Sequence, residues 1–262
     1  EPMGLVLDYI PGVGPQFENP VRSHADIDAL RIDPSKDTMP YIDEVIKLIR
    51  AELPANIPLI GFGGAPFTLA SYAIEGKGSR NYIHVKQMMY GDTGAWHTLM
   101  TKITDAVIDY MNYQIDSGVQ AVQLFDSWVG CLSPVDYLEY VYVHTERLMT
   151  AISGKVPVIH FGTGNPALAP LMAKAGGDVL ALDWRTPLRE TWEQTGVKAV
   201  QGNMDPIILC ADRASVERKA GEVLAEVDGK PGHIFNLGHG IIPETPVDNV
   251  KALVDFVHQY PV

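Results

Sequence analysis

Reactive side chains recur in this chain at one kind of place, just after a short apolar run and beside glycine. His239 stands between Gly238 and Gly240, after Ile234–Leu237. A histidine there is exposed on backbone that can approach a ligand closely, or else is a surface histidine in a tight turn. Asp126 and Ser127 follow Phe125 and precede Trp128 and Gly130. They offer a carboxylate and a hydroxyl at a strand end, or else a cap for the next helix. Tyr72 follows the glycine break at Gly61, Gly63 and Gly64. Its phenol could hydrogen-bond a ligand, or the ring could be core with its hydroxyl satisfied once. Asp183 and Arg185 flank Trp184, and their charges read first as a local pair that holds the loop. Gly162-Thr163-Gly164 follows His160 and could cradle a phosphate, although a lone GxG is a weak pattern. His160 itself lies inside its apolar run and suits a core histidine equally well. The stretch from Gln201 to Pro206 reads as a strand end with an Asx/Pro turn.

The elements that must position these groups follow from hydrophobic spacing. Ile57–Phe62, Ala121–Phe125, Val156–Phe161, Val179–Leu182, Ala199–Val200 and Ile234–Leu237 are short and nearly all apolar. Runs apolar on both faces fit parallel strands covered by helices. Between them, Ile42, Val45, Ile46, Ile49 and Leu53 recur at helix spacing, as do Leu99, Ile103, Val107, Met111 and Ile115 up to Gly118. Ser133-Pro134 reads as N-cap and first residue of a helix reaching about Ser153, and Thr186-Pro187 and Thr245-Pro246 repeat that device. Gly196 suits a helix stop. Strand and helix in alternation mean βαβ units in a parallel sheet. Residues 1–36 differ: LVLDYIPGVGPQFENPV predicts two short strands around a Gly/Pro turn. No linker divides the chain, so 1–262 is expected to be one domain.

Composition narrows the function. The chain has 262 residues, 46% of them hydrophobic, enough for one buried core. Its formal net charge of −12 argues against nucleic acid and anionic membrane surfaces as partners. Cys131 and Cys210 make no disulfide framework or zinc-finger spacing, so a reducing cytoplasm is expected. The opening Glu1-Pro2 does not read as a secretory signal. Ile57–Gly76 has no charge before Glu75, but its two prolines and four glycines make a poor spanning helix.

Taken together, GFGGAPFTLASYAIEG, LFDSWVG, VPVIHFG, LDWR, QGNMDP and FNLGHG resemble the uroporphyrinogen decarboxylase family in order and spacing, over essentially the whole chain. The resemblance implies a (β/α)8 TIM-type barrel, a homodimer and no cofactor or metal. It implies removal of CO2 from the four acetates of uroporphyrinogen to give coproporphyrinogen, in haem and porphyrin biosynthesis. It also implies that Tyr72, Ser127 and His239 bind the tetrapyrrole and that Phe125 lines the pocket. The family's arginine-bearing MRQAGRY-type segment and its FSDIL-like strand, whose Asp binds the pyrrole N–H groups, have no counterpart in these residues. The barrel is therefore expected to lack its first two strands. No catalytic residue is assigned, and weak or no turnover is expected of the chain alone.

Among strand-end carboxylates only Asp126 and Asp183 are left to serve near a cationic ring. Lys77, Arg80 and Arg185 are the candidate cations for substrate carboxylates. Two other readings stay open. A sister family of corrinoid-to-thiol methyltransferases needs His-x-Cys and a further Cys for zinc, where this chain has His160-Phe161-Gly162 and NLGHG. A non-catalytic barrel fragment would associate through its open sheet edge.

Overall fold

The six apolar runs pair side by side, in chain order, as one parallel sheet. The computed structural model describes residues 1–11 and 14–261. The sheet contains β3 (Ile60–Gly64), β4 (Ala121–Asp126), β5 (Val158–Gly162), β6 (Val179–Leu182), β7 (Ala199–Gln201) and β8 (His233–Ile234). Its register sets Gly64 beside Phe125 and Phe125 beside Phe161. The two short N-terminal strands, β1 (Leu7–Ile10) and β2 (Gly14–Phe17), pair antiparallel. Gly12 and Val13 of the expected turn lie outside the described residues.

Helices cover the outer face. They are α1 (His24–Ala29), α2 (Ser35–Thr38), α3 (Tyr41–Glu52), α4 (Pro66–Glu75), α5 (Ile83–Gly91) and α6 (Thr93–Ser117) in the first half. In the second half they are α7 (Pro134–Tyr140), α8 (Tyr142–Ile152), α9 (Ala169–Ala175), α10 (Leu188–Thr195), α11 (Arg213–Val227) and α12 (Val247–Gln259). Strands in sequential order, each followed by helix, give an α/β architecture of (β/α)8-barrel type. Among the described residues the sheet is open, with β3 and β8 as its edges. No helix of the described residues is long and apolar enough to cross a membrane.

Local chemistry explains most boundaries. The Asp92 carboxylate accepts the Ala95 N–H to start α6, and Gly118 ends it at φ 111°, where a Cβ would be strained. Ser133 caps α7 as expected, but the predicted single helix divides at Val141 into α7 and α8. The other two Thr-Pro pairs behave differently. Pro187 and Pro246 are themselves the N-caps of α10 and α12, without a side-chain cap. The Thr186 hydroxyl is drawn instead to the buried Asp183 carboxylate, 3.2 Å away. Within 1–36, Ser23 and Asp26 cap each other's backbone and start α1.

The open edge at β3 decides what is exposed. On the inner face Ile159, Phe161 and Ala181 of the central strands are 3%, 6% and 1% exposed. At the edges Ile60, Phe62 and Ile234 remain 44%, 64% and 43% exposed. The edge is blunted at one point. The Gln114 side chain of α6 accepts the Phe62 N–H at 3.0 Å and donates to the Phe62 carbonyl at 2.9 Å. One amide thus does what a neighbouring strand would do. Gly61 makes room for it, since a Cβ there would meet Gln114 Oε1 at 2.7 Å.

Candidate functional site: a cleft at the strand C-termini

The loop after β8 is pressed against the loop after β6. A Cβ on Gly238 would lie 2.3 Å from the Trp184 nitrogen, so only glycine permits the approach. The contact sets the His239 ring edge-on to Trp184, centroids 6.3 Å apart, and edge-on to Phe161 at the same separation. Phe161 continues to Phe125 at 5.7 Å, and Phe125 to Phe62 at 6.1 Å. Inward side chains of three adjacent strands therefore form an aromatic floor that ends at an imidazole.

Asp183 ties the other loops together. Its side chain is 1% exposed. Oδ2 accepts from the Thr163 hydroxyl and the Gly164 N–H, each at 2.6 Å, and from Arg185 Nη1 at 3.0 Å. Oδ1 accepts the Arg185 N–H at 2.9 Å. Burial pushes this carboxyl up, but the bonds from Thr163, Gly164 and Arg185 outweigh it and hold it below the usual carboxylate value. Gly162-Thr163-Gly164 is thus no phosphate cradle, because its free N–H already serves an internal carboxylate. Asn203, from the QGNMDP stretch, donates to the carbonyls of Asp183 and Thr186 at 2.9 and 2.6 Å, an architectural task.

The last two residues of β4 point to opposite sides. Phe125 joins the inner cluster, while Asp126 is fully buried toward the helices. The Thr68 hydroxyl of α4 donates to Asp126 Oδ1 at 2.8 Å and accepts the Trp128 N–H at 3.2 Å. Asp126 Oδ2 has no partner, and burial raises the carboxyl to about 7, with the Thr68 bond opposing. Neither strand-end carboxylate is therefore free to face a cationic ring. Asp126 is sealed behind the sheet, and Asp183 is committed to its loops.

What remains at the surface is a cleft of about 340 Å³ that brings together Ser127, Trp128, Thr163, Trp184, Arg185 and His239. Cys131 also lines it, its thiol pushed up to about 11 by burial. Lys77 and Arg80 are exposed after α4 and do not line it. Tyr72 does not line it either. It stacks on Trp128 with centroids 3.8 Å apart and faces a separate apolar cavity of about 320 Å³, walled also by Met3, Phe17 and Leu30. Burial raises its phenol, leaving a neutral donor. Tyr82 meets the same indole edge-on at 5.5 Å. Of the four residues expected to bind a ligand, Ser127 and His239 share the cleft; Phe125 does not line it but packs with Phe161 in the aromatic cluster beside it, and Tyr72 stands behind its Trp128 wall.

The sequence reading missed Trp128, Thr68 and Thr163 as positioning groups. Trp128 lay in the motif but had no signal of its own. Thr68 is four residues before Tyr72 on one helix, a spacing that places both on the same face.

His160 takes no part. Strand alternation sends it to the helix side, beside Gly177, and burial lowers its imidazole to about 4, keeping it neutral. Among the described residues no three His, Cys, Asp or Glu side chains gather as metal ligands.

A parallel barrel sheet whose strand ends collect a hydroxyl, an imidazole, a guanidinium and an aromatic floor belongs to the barrel enzymes that act at that face. A family model described as uroporphyrinogen decarboxylase (URO-D) matches residues 1–260. The uroporphyrinogen decarboxylase of Sorangium cellulosum is 51% identical over 263 residues, spanning 100% of this chain and 75% of that protein. The one from Trichlorobacter lovleyi is 49% identical, spanning 99% and 76%. This chain belongs to the uroporphyrinogen decarboxylase family. Solved structures share the fold: a methyltransferase from Methanosarcina mazei superposes with a TM-score of 0.82 at 19% identity, over 98% of this chain and 76% of its own. A B12-independent methionine synthase from Shewanella sp. W3-18-1 gives 0.61 at 14% identity, over 99% and 76%.

Proposed function

We propose that this chain serves the decarboxylation of uroporphyrinogen, releasing the four acetate carboxyls as CO2 and leaving coproporphyrinogen. The observation that carries the reading is the cleft that joins Ser127 and His239, beside the Phe125–Phe161 aromatic cluster that reaches the His239 ring, in a member of this family. The aromatic cluster offers apolar surface to the pyrrole rings of the methylene-bridged macrocycle, and the rim offers donors to its carboxylates.

Chemistry limits what these residues can do. Loss of CO2 from a pyrrole acetate leaves an electron pair that must enter the ring. Protonating a pyrrole carbon first makes the ring that sink. Ser127 and His239 would orient carboxylates by hydrogen bonds. Tyr72 can join them only after the Trp128 wall moves or the substrate reaches past it. Stabilising the ring cation requires a negative group at the ring N–H atoms. Asp126 and Asp183 are turned away from that task, and the family's Asp motif is not among these residues. The reading carries with it a homodimer, cytoplasmic location and independence of cofactors. The alternative of zinc-dependent methyl transfer rests on likeness of fold alone.

The test is anaerobic incubation of the purified chain with uroporphyrinogen, followed by separation of the products by carboxyl number. Slow formation of hepta- to tetracarboxyl products is expected, lost in a Ser127→Ala, His239→Asn double variant. No product above the no-protein control, together with no binding of uroporphyrin, would overturn the reading.

A further inference from the structure

Arg185 is the one Lys, Arg, Asp or Glu side chain lining the cleft among the described residues. That is unexpected in a chain of net charge −12. The guanidinium is also held in place. Asp183 grips Nη1 from behind at 3.0 Å, and the Trp184 ring lies under Cζ at 3.8 Å to its centroid. Asp183 is itself anchored by Thr163, Gly164 and Thr186, so the side chain is braced by the loops after both β5 and β6. Yet the Arg185 side chain is 49% exposed, and its Nε and Nη2 have no partner among the described residues. A surface ion pair that served only the loop would have no need of this stacked, half-open fork.

We propose that Arg185 is a substrate-binding residue that holds a carboxylate of the acidic tetrapyrrole, on the same rim as Ser127 and His239. The proposal rests on the functional reading above and names the group that offsets the substrate's charge within these residues. The Asp183 side chain fixes the fork before the ligand arrives, so little rotamer freedom is lost on binding. Trp184 connects the anchor to His239, since the Arg185 guanidinium lies over its ring and the His239 ring meets it edge-on at 6.3 Å. A neighbouring groove of about 620 Å³ also touches Arg185, but it is lined by Glu222 and Glu226 as well as Lys219, which suits an anion poorly.

The test is fluorescence titration of the chain with uroporphyrin, which carries eight carboxylates, and with coproporphyrin, which carries only the four propionates. Arg185→Gln is expected to weaken uroporphyrin binding about tenfold, the loss of a charge-assisted pair of hydrogen bonds. Arg185→Lys keeps the charge without the fork and is expected to fall between the two. Lys219→Gln, in the neighbouring groove, is expected to bind as the unsubstituted chain does. An equal loss for both porphyrins assigns a propionate to Arg185, and a loss for uroporphyrin alone assigns an acetate. Binding by both Arg185 variants within twofold of the unsubstituted chain would overturn the proposal while leaving the functional reading standing. Failure of the unsubstituted chain to bind uroporphyrin would overturn the proposal, and together with no product it would overturn the functional reading as well. Should Arg185→Gln not fold, Arg185→Lys alone decides.

Discussion

The two ends of one sheet are built in opposite ways. From β5 to β8 the loops are cross-linked through Asp183, Asn203 and the Gly238 contact, and the inner face is closed at β5 and β6. At β3 the inner face is open, Phe62 faces outward, and one glutamine stands in for a strand. Tyr72 belongs to the open side and His239 to the closed side, and Trp128 lies between them. The lesson is that the proposed binding groups on the closed side are preorganised by hydrogen bonds and close contacts within these residues. Those on the open side are held by stacking and by an apolar cavity, which set position less sharply than hydrogen bonds.

The comparison breaks first at Asp183. Asp183→Ala removes the acceptor for Thr163, Gly164 and Arg185 together, and leaves partly buried donors unpaired. A loss of about 3 kcal/mol or more is expected, seen as a fall of about 10 °C in thermal unfolding. An unchanged transition would show that the closed side is not held through this carboxylate.

Gly238 offers the next test. Gly238→Ala drives a methyl into the Trp184 backbone, whereas nothing lies within 4 Å of a Cβ on Gly240. The first substitution is expected to cost about 1–3 kcal/mol and the second well under 1 kcal/mol. Urea titration of both variants separates them, and equal midpoints would deny the close approach.

Asp126 gives the smallest effect, as a pH slope. Its folded value of about 7 exceeds the ordinary 3.8. Between those limits the unfolded chain loses this proton and the folded chain keeps it. The contribution is therefore complete below pH 4 and lost as pH rises through 7. Asp126→Asn should flatten the decline in Tm between pH 5 and 8 by a few degrees. A variant with the same slope as the parent would show that Asp126 does not hold its proton.

Much of this was legible in the residues. Five of the six parallel strands fall on their uncharged apolar runs, because a strand covered on both faces can carry little else; the sixth, His233–Ile234, meets the expected run Ile234–Leu237 only at Ile234. Gly118 and Gly196 ended helices where a left-handed residue was needed. The six sequence blocks identified the family and brought Ser127 and His239 forward. Other features were not legible. Nothing in FDSW says that the aspartate turns inward to a helix while the serine stays at the cleft. Thr186-Pro187 looked like a cap because its competing partner, Asp183, is a tertiary one. Asp183 and Arg185 read as a local pair, which they are, but not as the hub that collects Thr163 and Gly164 from another loop.

The sequence by itself determined the barrel-type alternation, the glycine-marked strand ends and the family. It did so because hydrophobic period and backbone permissiveness are local properties. Only the tertiary structure decided which strand-end group faces the cleft, that Arg185 is its one formal charge among the described residues, and that Tyr72 stands behind Trp128. Those facts depend on which loops meet, and loops meet where strand register and close packing bring them.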